Sequence, residues 1–259
     1  MLKIAIQTNV WSDEIHRTNF TGMLAEIAAA GYQGIEIGAH RLDLERPALF
    51  KTQLEAHGLE PAGLHTHGAL FDAAELGGTV SRVERAAAFA AAVGAPFVLI
   101  SGKPLPGKTP AQQAQETAAL QQCGRLCQAH GRRLCYHNHY WEVEHDYREL
   151  RFLLENTDPA LVGLALDVGW VQRAGGRPAE AVRRFNQRID YLHLKDFRVK
   201  DFASDTWTEL GDGYVDFPGV FAAIEGRSLP WAAVERDEVL PHAAQSSRSS
   251  RDYLRGLGL

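Results

Sequence analysis

Five of the eleven histidines in this sequence (65, 67, 137, 139 and 193) stand in short polar tails that follow apolar runs. Carboxylates stand in the same kind of place. The tails read His65-Thr66-His67, His137-Asn138-His139-Tyr140-Trp141-Glu142, Asp167-Val168-Gly169-Trp170, His193-Leu194-Lys195-Asp196 and Glu235-Arg236-Asp237-Glu238. Imidazoles and carboxylates that converge have one common purpose, to hold a divalent cation. Neutral imidazole with ionised carboxylate suits Mn, Co, Zn or Fe better than an all-oxygen calcium cage. Asp167, His193 and Glu235, on three consecutive apolar runs, form the core of that expectation. A mixed ligand set of this kind leaves room for oxygens of a substrate.

The runs that carry these tails read as strands. Candidates are Lys3–Thr8, Gly34–Ile37, Pro61–Leu64, Phe97–Ile100, Arg133–Asn138, Val162–Asp167, Ile189–Leu194 and Trp231–Glu235, each bounded by Gly, Pro, Asn, Asp or His. Between them lie helix-periodic segments: Phe20–Ala30, Thr79–Ala92, Pro110–Ala129, Asp146–Leu154 and Ala179–Phe185. Thr79 reads as the start of a helix that stops at Gly94, and Asp216 precedes Phe217-Pro218 as a helix start. Strand and helix alternate throughout, with no linker long enough to divide the chain. Near-continuous apolar strands of a parallel sheet need helices on their faces.

Eight such units in 259 residues favour a closed α/β barrel, a single (β/α)8 TIM-barrel domain over residues 1–259. The open, doubly wound alternative predicts a Gly-rich turn after the first strand. Gln7-Thr8-Asn9-Val10-Trp11 follows instead, so dinucleotide binding is set aside. In a barrel, function collects where the strands end at the C-terminal face, and every tail above lies there. Lys200–Phe217, the longest loop, is expected beside that mouth. Alternation along the fifth strand makes His137 and His139 neighbours on the lumen side, with stacking on Tyr136, Tyr140 or Trp141 as their alternative role.

Composition narrows the class. The chain is 45% hydrophobic and 23% charged with a net charge of −5, ordinary globular values. An acidic balance without a basic stripe argues against nucleic acid as a partner. No apolar run approaches the ~20 residues of a membrane span, and the start lacks the apolar stretch of a signal peptide. Cys123, Cys127 and Cys135 are too few and too clustered for a disulfide framework, which points to thiols in a reducing cytoplasm. The expected partner is a small molecule, and the expected location cytoplasmic.

Leu166-Asp-Val-Gly-Trp170, Tyr191-Leu-His-Leu-Lys-Asp196, Glu209-Leu-Gly-Asp-Gly-Tyr-Val-Asp-Phe217 and Val234-Glu-Arg-Asp237 resemble the sugar phosphate isomerase/epimerase family. That family shares the xylose isomerase-like TIM barrel with endonuclease IV, inosose dehydratase and the ketose 3-epimerases. The resemblance extends from Gly34-Ile35-Glu36-Ile37 through the eighth strand. It implies one divalent metal ion, manganese among the candidates, held by Glu, Asp, His and Glu at the ends of strands five to eight. Asp167, His193 and Glu235 match three of those positions. The first glutamate has no match: His137 stands in its register, and Glu142 ends the same segment. Either could be the fourth ligand, and the expectation favours Glu142 as ligand and acid/base. The resemblance also implies a possible homo-oligomer.

The same likeness makes His65 and His67 contacts to substrate hydroxyls or phosphate, with His139 beside them. Lys195 and Arg236, each next to a ligand, read as groups that bind substrate oxygens or stabilise negative charge. A salt bridge to Asp196 or Asp167 is the other role open to Lys195. Trp11 and Trp170 read as an apolar wall against a sugar ring, with loop packing as the alternative. A metal between two carboxylates serves proton abstraction next to a carbonyl, through a metal-bound enediolate. Glu235, with Glu142 or His137 from the other side, would move the proton. The reaction so implied is sugar isomerisation or epimerisation, with dehydration of an inosose or keto-sugar as the alternative. An endonuclease IV-like phosphodiesterase is disfavoured by the acidic charge.

Overall fold

The structure, a computed structural model, describes residues 2–198, 206–224 and 226–259. Seven strands come first: Lys3–Gln7 (β1), Gly34–Gly38 (β2), Glu60–Gly68 (β3), Phe97–Gly102 (β4), Arg133–His137 (β5), Val162–Asp167 (β6) and Ile189–Leu194 (β7). A two-stranded antiparallel ribbon of Asp196–Phe197 (β8) and Trp207–Thr208 (β9) follows, then Trp231–Val234 (β10). β1 to β7 and β10 close into a parallel barrel in which β1 pairs with both β2 and β10. The eight barrel strands fall on the eight predicted ones, with boundaries moved by a few residues. The family of folds expected from the sequence is the one observed.

Helices cover the outside of the ring: Asp13–Thr18 (α1), Phe20–Ala30 (α2), Pro47–Glu55 (α3), Ala73–Val93 (α4), Pro110–Ala129 (α5), Tyr140–Glu155 (α6), Val168–Arg173 (α7), Pro178–Arg184 (α8), Phe217–Ala223 (α9) and Ala243–Gly256 (α10). None of the described helices is long and apolar enough to cross a membrane. Two starts differ from the sequence reading. Thr79 lies inside α4, which begins six residues earlier because Asp72 caps it, its carboxylate accepting from the Ala74 N–H at 2.9 Å. Predicted helix 146–154 belongs to α6, which starts at Tyr140 and is interrupted where His145, Asp146 and Tyr147 take left-handed φ values of 54°, 58° and 58°. Asp146 is tied there by Arg184, at 2.5 and 3.0 Å.

The barrel lumen sets the height of the site. Ala5, Leu99, Cys135, Ala165 and Ala233, with Phe97, Tyr191 and Trp231, fill it with apolar groups. Strand residues two apart share a face and stand ~6.6 Å apart along the strand. Two residues beyond that plug, the lumen therefore receives Gln7, Ser101, His137, Asp167 and Glu235, while His193 follows Tyr191. An apolar floor thus sits beneath a polar ring. The Gly-Asp-Gly motif after β9 serves this framework: Asp196 accepts from the N–H groups of Phe197, Gly211, Gly213 and Val215 at 2.9–3.1 Å. Of the loop expected at 200–217, residues 200–205 lie outside the described residues. All three cysteines are buried and free.

Candidate active site

His137 ends β5, Asp167 ends β6, His193 lies near the end of β7, and Glu235 directly follows β10. Each offers one ligand atom, and these four atoms lie within 4.8 Å of one another, all on buried side chains. His193 Nδ1 is 2.7 Å from Glu235 Oε2, yet neither atom has a partner in hydrogen-bond geometry. Asp167 Oδ2, 3.9 Å from His137 Nε2, is likewise without one. Buried polar atoms left unpaired are costly, and a cluster of them calls for an explanation. Two imidazoles and two carboxylates whose donor atoms converge, with Lys195 as the only lysine or arginine beside the two carboxylate oxygens among the described residues, fit a divalent transition-metal ion.

Asp167 does two jobs. Its Oδ1 caps α7 by accepting from the Trp170 N–H at 2.9 Å, which leaves Oδ2 for the cluster. Asn138 fixes the backbone beneath it, its side chain accepting from Asp167 N at 3.0 Å. Lys195 supplies the positive charge that this acidic site needs. Its ammonium lies 3.1 Å from Asp167 Oδ2, 3.2 Å from Glu235 Oε2 and 2.8 Å from Asp237 Oδ2. The rings of Trp170 and Trp207 flank it at 4.9 and 5.1 Å.

Burial would push the Glu235 carboxyl up, but Lys195 and His193 hold it well below the usual carboxylate range. Asp167 is raised to about 6, burial outweighing Lys195. Burial lowers His193, but Glu36 and Glu235 reverse that and raise it to about 10 in the metal-free protein. His137 is driven well below the usual range by burial and by His193.

A cavity of about 300 Å³ opens above the cluster. Its wall carries His65, His67, His137 and His139 from the predicted set, and Glu235 from the cluster. Gln7, Asn9, His40, Ser101, Trp141 and Asp237 complete the polar wall. His139 stacks flat on Trp141, ring centres 4.4 Å apart, and burial with Lys195 nearby lowers its pKa to about 3. Burial also lowers His67 and His40. Apart from Glu235, Asp237 and Lys103, the side chains of the cavity wall are imidazoles, the amides of Gln7 and Asn9, the Ser101 hydroxyl, Trp141 and Pro104.

Four predicted residues lie elsewhere. Glu142 is buried behind the barrel wall: its carboxylate accepts from the Tyr136 hydroxyl and from the His139 N–H, both at 2.7 Å. Tyr136 alternates with His137 and so points away from the lumen. Glu142 is a cap of the first turn of α6, and His137 takes the place in the cluster. Arg236 also points outward and is engaged by Glu209, Glu238 and the Trp207 carbonyl. Trp11 is buried with its indole N–H on Glu26 at 2.9 Å. Trp170 packs edge-on against Trp207 and beneath Lys195, outside the cavity wall.

Sequence reasoning missed Glu36. It is wholly buried, and its two oxygens meet His65 Nδ1 at 2.9 Å and His193 Nε2 at 2.6 Å. The signal was present: a lone acid inside the apolar run Gly34-Ile-Glu-Ile-Gly38 cannot be buried without partners. Asp237, two residues beyond Glu235, was passed over for the same lumen-facing period.

Residues 24–257 match the sequence profile of the xylose isomerase-like TIM barrel family. The chain belongs to that family. An inosose dehydratase of Geobacillus kaustophilus is 28% identical over 265 residues, covering 90% of this chain and 85% of that protein. One from Mesomycoplasma hyopneumoniae is 27% identical, covering 92% and 89%. In three dimensions, a sugar phosphate isomerase/epimerase from Parabacteroides distasonis superposes with a TM-score of 0.79 at 21% identity, covering 98% and 94% of the two chains. A D-allulose 3-epimerase from Methylomonas sp. in complex with D-allulose gives 0.79 at 19% identity, covering 98% and 96%. The protein is an enzyme of this family.

Proposed function

We propose that this protein removes water from a neutral keto-polyol of the inosose type, with a divalent cation held by His137, Asp167, His193 and Glu235. The observation that carries the reading is the makeup of the site: of the cluster's carboxylates only Glu235 lines the cavity, its counterpart on β5 is an imidazole, and Asp237, the other acid on the wall, is held by Lys195 at 2.8 Å. Inversion at a carbon needs one group to remove the proton and another to return it from the opposite face. Elimination needs only one base, provided that the base hands the proton to the departing hydroxyl. Glu235 is ionised and reaches the cavity, so it can take the proton next to the substrate carbonyl. Returning that proton to the β-hydroxyl releases water and leaves the carboxylate as it began. A cation in the cluster supplies a Lewis acid for the carbonyl oxygen. The relatives named as inosose dehydratases support the same reaction.

The cavity wall supports a substrate without phosphate. Lys103 is its only lysine or arginine among the described residues, and it is paired with Glu75 at 2.7 Å. Glu235 and Asp237 would repel a phosphate, whereas neutral imidazoles and amides suit hydroxyl groups. A second reading, epimerisation of a ketose, draws on the fold shared with the sugar epimerases. The deciding experiment incubates manganese- or cobalt-loaded protein with an inosose and with a panel of ketoses in deuterated water. Loss of water from the inosose supports dehydration. Deuterium uptake and inversion in a ketose, with the inosose untouched, would replace it by epimerisation. Glu235→Gln should lower kcat by about 10²–10⁴-fold, the usual worth of a general base.

A further inference from the structure

We propose that Glu36 is a positioning residue that fixes which ring nitrogen of His193 faces the cation, an inference that rests on the metal-dependent reading above. Glu36 comes from β2, across the lumen from β5, β6 and β7, which carry three of the four clustered groups. Its Oε2 lies 2.6 Å from His193 Nε2 and its Oε1 lies 2.9 Å from His65 Nδ1, both in hydrogen-bond geometry. An ionised carboxylate only accepts, so both ring nitrogens facing it must carry protons. His193 Nε2 is thereby committed as N–H, so Nδ1, 2.7 Å from Glu235 Oε2, is the ring nitrogen left to exchange its proton for a cation.

The same carboxylate sets His65. With Nδ1 donating to Glu36, its Nε2 accepts from the Ser101 hydroxyl at 2.6 Å and turns toward the cavity. One buried acid therefore orders a metal ligand and a cavity-wall group together. Glu36, His65 and His193 could instead be read as three ligands of a second ion, since their donor atoms also lie within 4.8 Å. The hydrogen bonds decide between the two: the Glu36 oxygens and both His65 nitrogens are paired, while Asp167 Oδ2, His193 Nδ1 and Glu235 Oε2 of the first cluster are not. Glu36 is an outer partner, the arrangement in which a carboxylate orients a ligating imidazole.

The test is cobalt(II) titration of the metal-stripped protein, read by its visible absorption, with nitrogen-15 histidine spectra of the zinc-loaded protein beside it. The expected results are a cobalt affinity about 10–100-fold lower in Glu36→Gln, and a His193 ring protonated at Nε2 and zinc-bound at Nδ1 in the unaltered protein. Ser101→Ala, which frees His65 alone, should leave the cobalt affinity unchanged. Equal affinity in Glu36→Gln, or an equal loss in Ser101→Ala, would overturn the proposal. So would zinc bound through Nε2 of His193, which is read without any variant and decides the matter even if Glu36→Gln does not fold. Failure of the unaltered protein to bind cobalt would overturn the metal-dependent reading as well, and the two failures are thus told apart.

Discussion

Asp167 shows how closely structural and chemical duty can be combined in one side chain. One oxygen caps α7 and the other joins the cluster. Asp167→Asn keeps an acceptor for the cap but removes the charge, so it should bind cobalt far more weakly while melting within a degree or two of the parent. Asp167→Ala should lose the metal and also about 1 kcal/mol of stability, the worth of an N-cap. Calorimetric melting beside metal analysis separates the two. At this scale, the sequence made Asp167, His193 and Glu235 legible because each stands at a strand end with lumen-facing period. Glu142 misled: a glutamate three residues after a helix cap looks like any strand-end carboxylate, and the usual Ser or Thr signal of a capping box is replaced by His139. Glu36 stayed hidden because nothing polar surrounds it in sequence, its partners lying 29 and 157 residues away.

α6 concentrates the consequences at the scale of an element. Burial raises Glu142 to about 8 from the ordinary 4.5, against the hydrogen bonds from Tyr136 and His139. Between those two values the folded chain holds a proton that the unfolded chain has released, so stability falls as pH rises through that interval. The slope is at most ~1.4 kcal/mol per pH unit for one group. Glu142→Gln removes it, and urea midpoints at pH 5 and 8.5 should show the parent losing ground to the variant; parallel curves would contradict this. The same helix carries the left-handed residues at 145–147, a conformation that costs an L-residue roughly 1–2 kcal/mol. Exposed His145→Gly should therefore raise stability by about 0.5–1 kcal/mol, after glycine's greater entropy loss, in the same urea experiment. Periodicity revealed the regular part of α6. It could not reveal the interruption, which Asp146 makes through Arg184, 38 residues further on.

For the whole molecule, alternation of strand and helix was enough to read a closed barrel, because a parallel sheet must be covered and eight units must meet. What no pattern could give was the ring's cross-lumen pairing, where β2 reaches β7. That pairing has a kinetic meaning. The cluster draws on β5, β6, β7 and the end of β10, the proposed positioning acid comes from β2, and β10, paired with β7 on one side, completes the ring by closing against β1. Contacts between ends of the chain form late, since long loops must be closed before they are rewarded. Competence to bind a cation should therefore arise only when the last seam zips. In refolding from urea with cobalt present, colour should follow the slowest tryptophan fluorescence phase and be absent from any earlier collapsed species. A chain truncated before Trp231 should keep helical signal at most and never colour. The metal, in effect, would act as a witness of the completed circle.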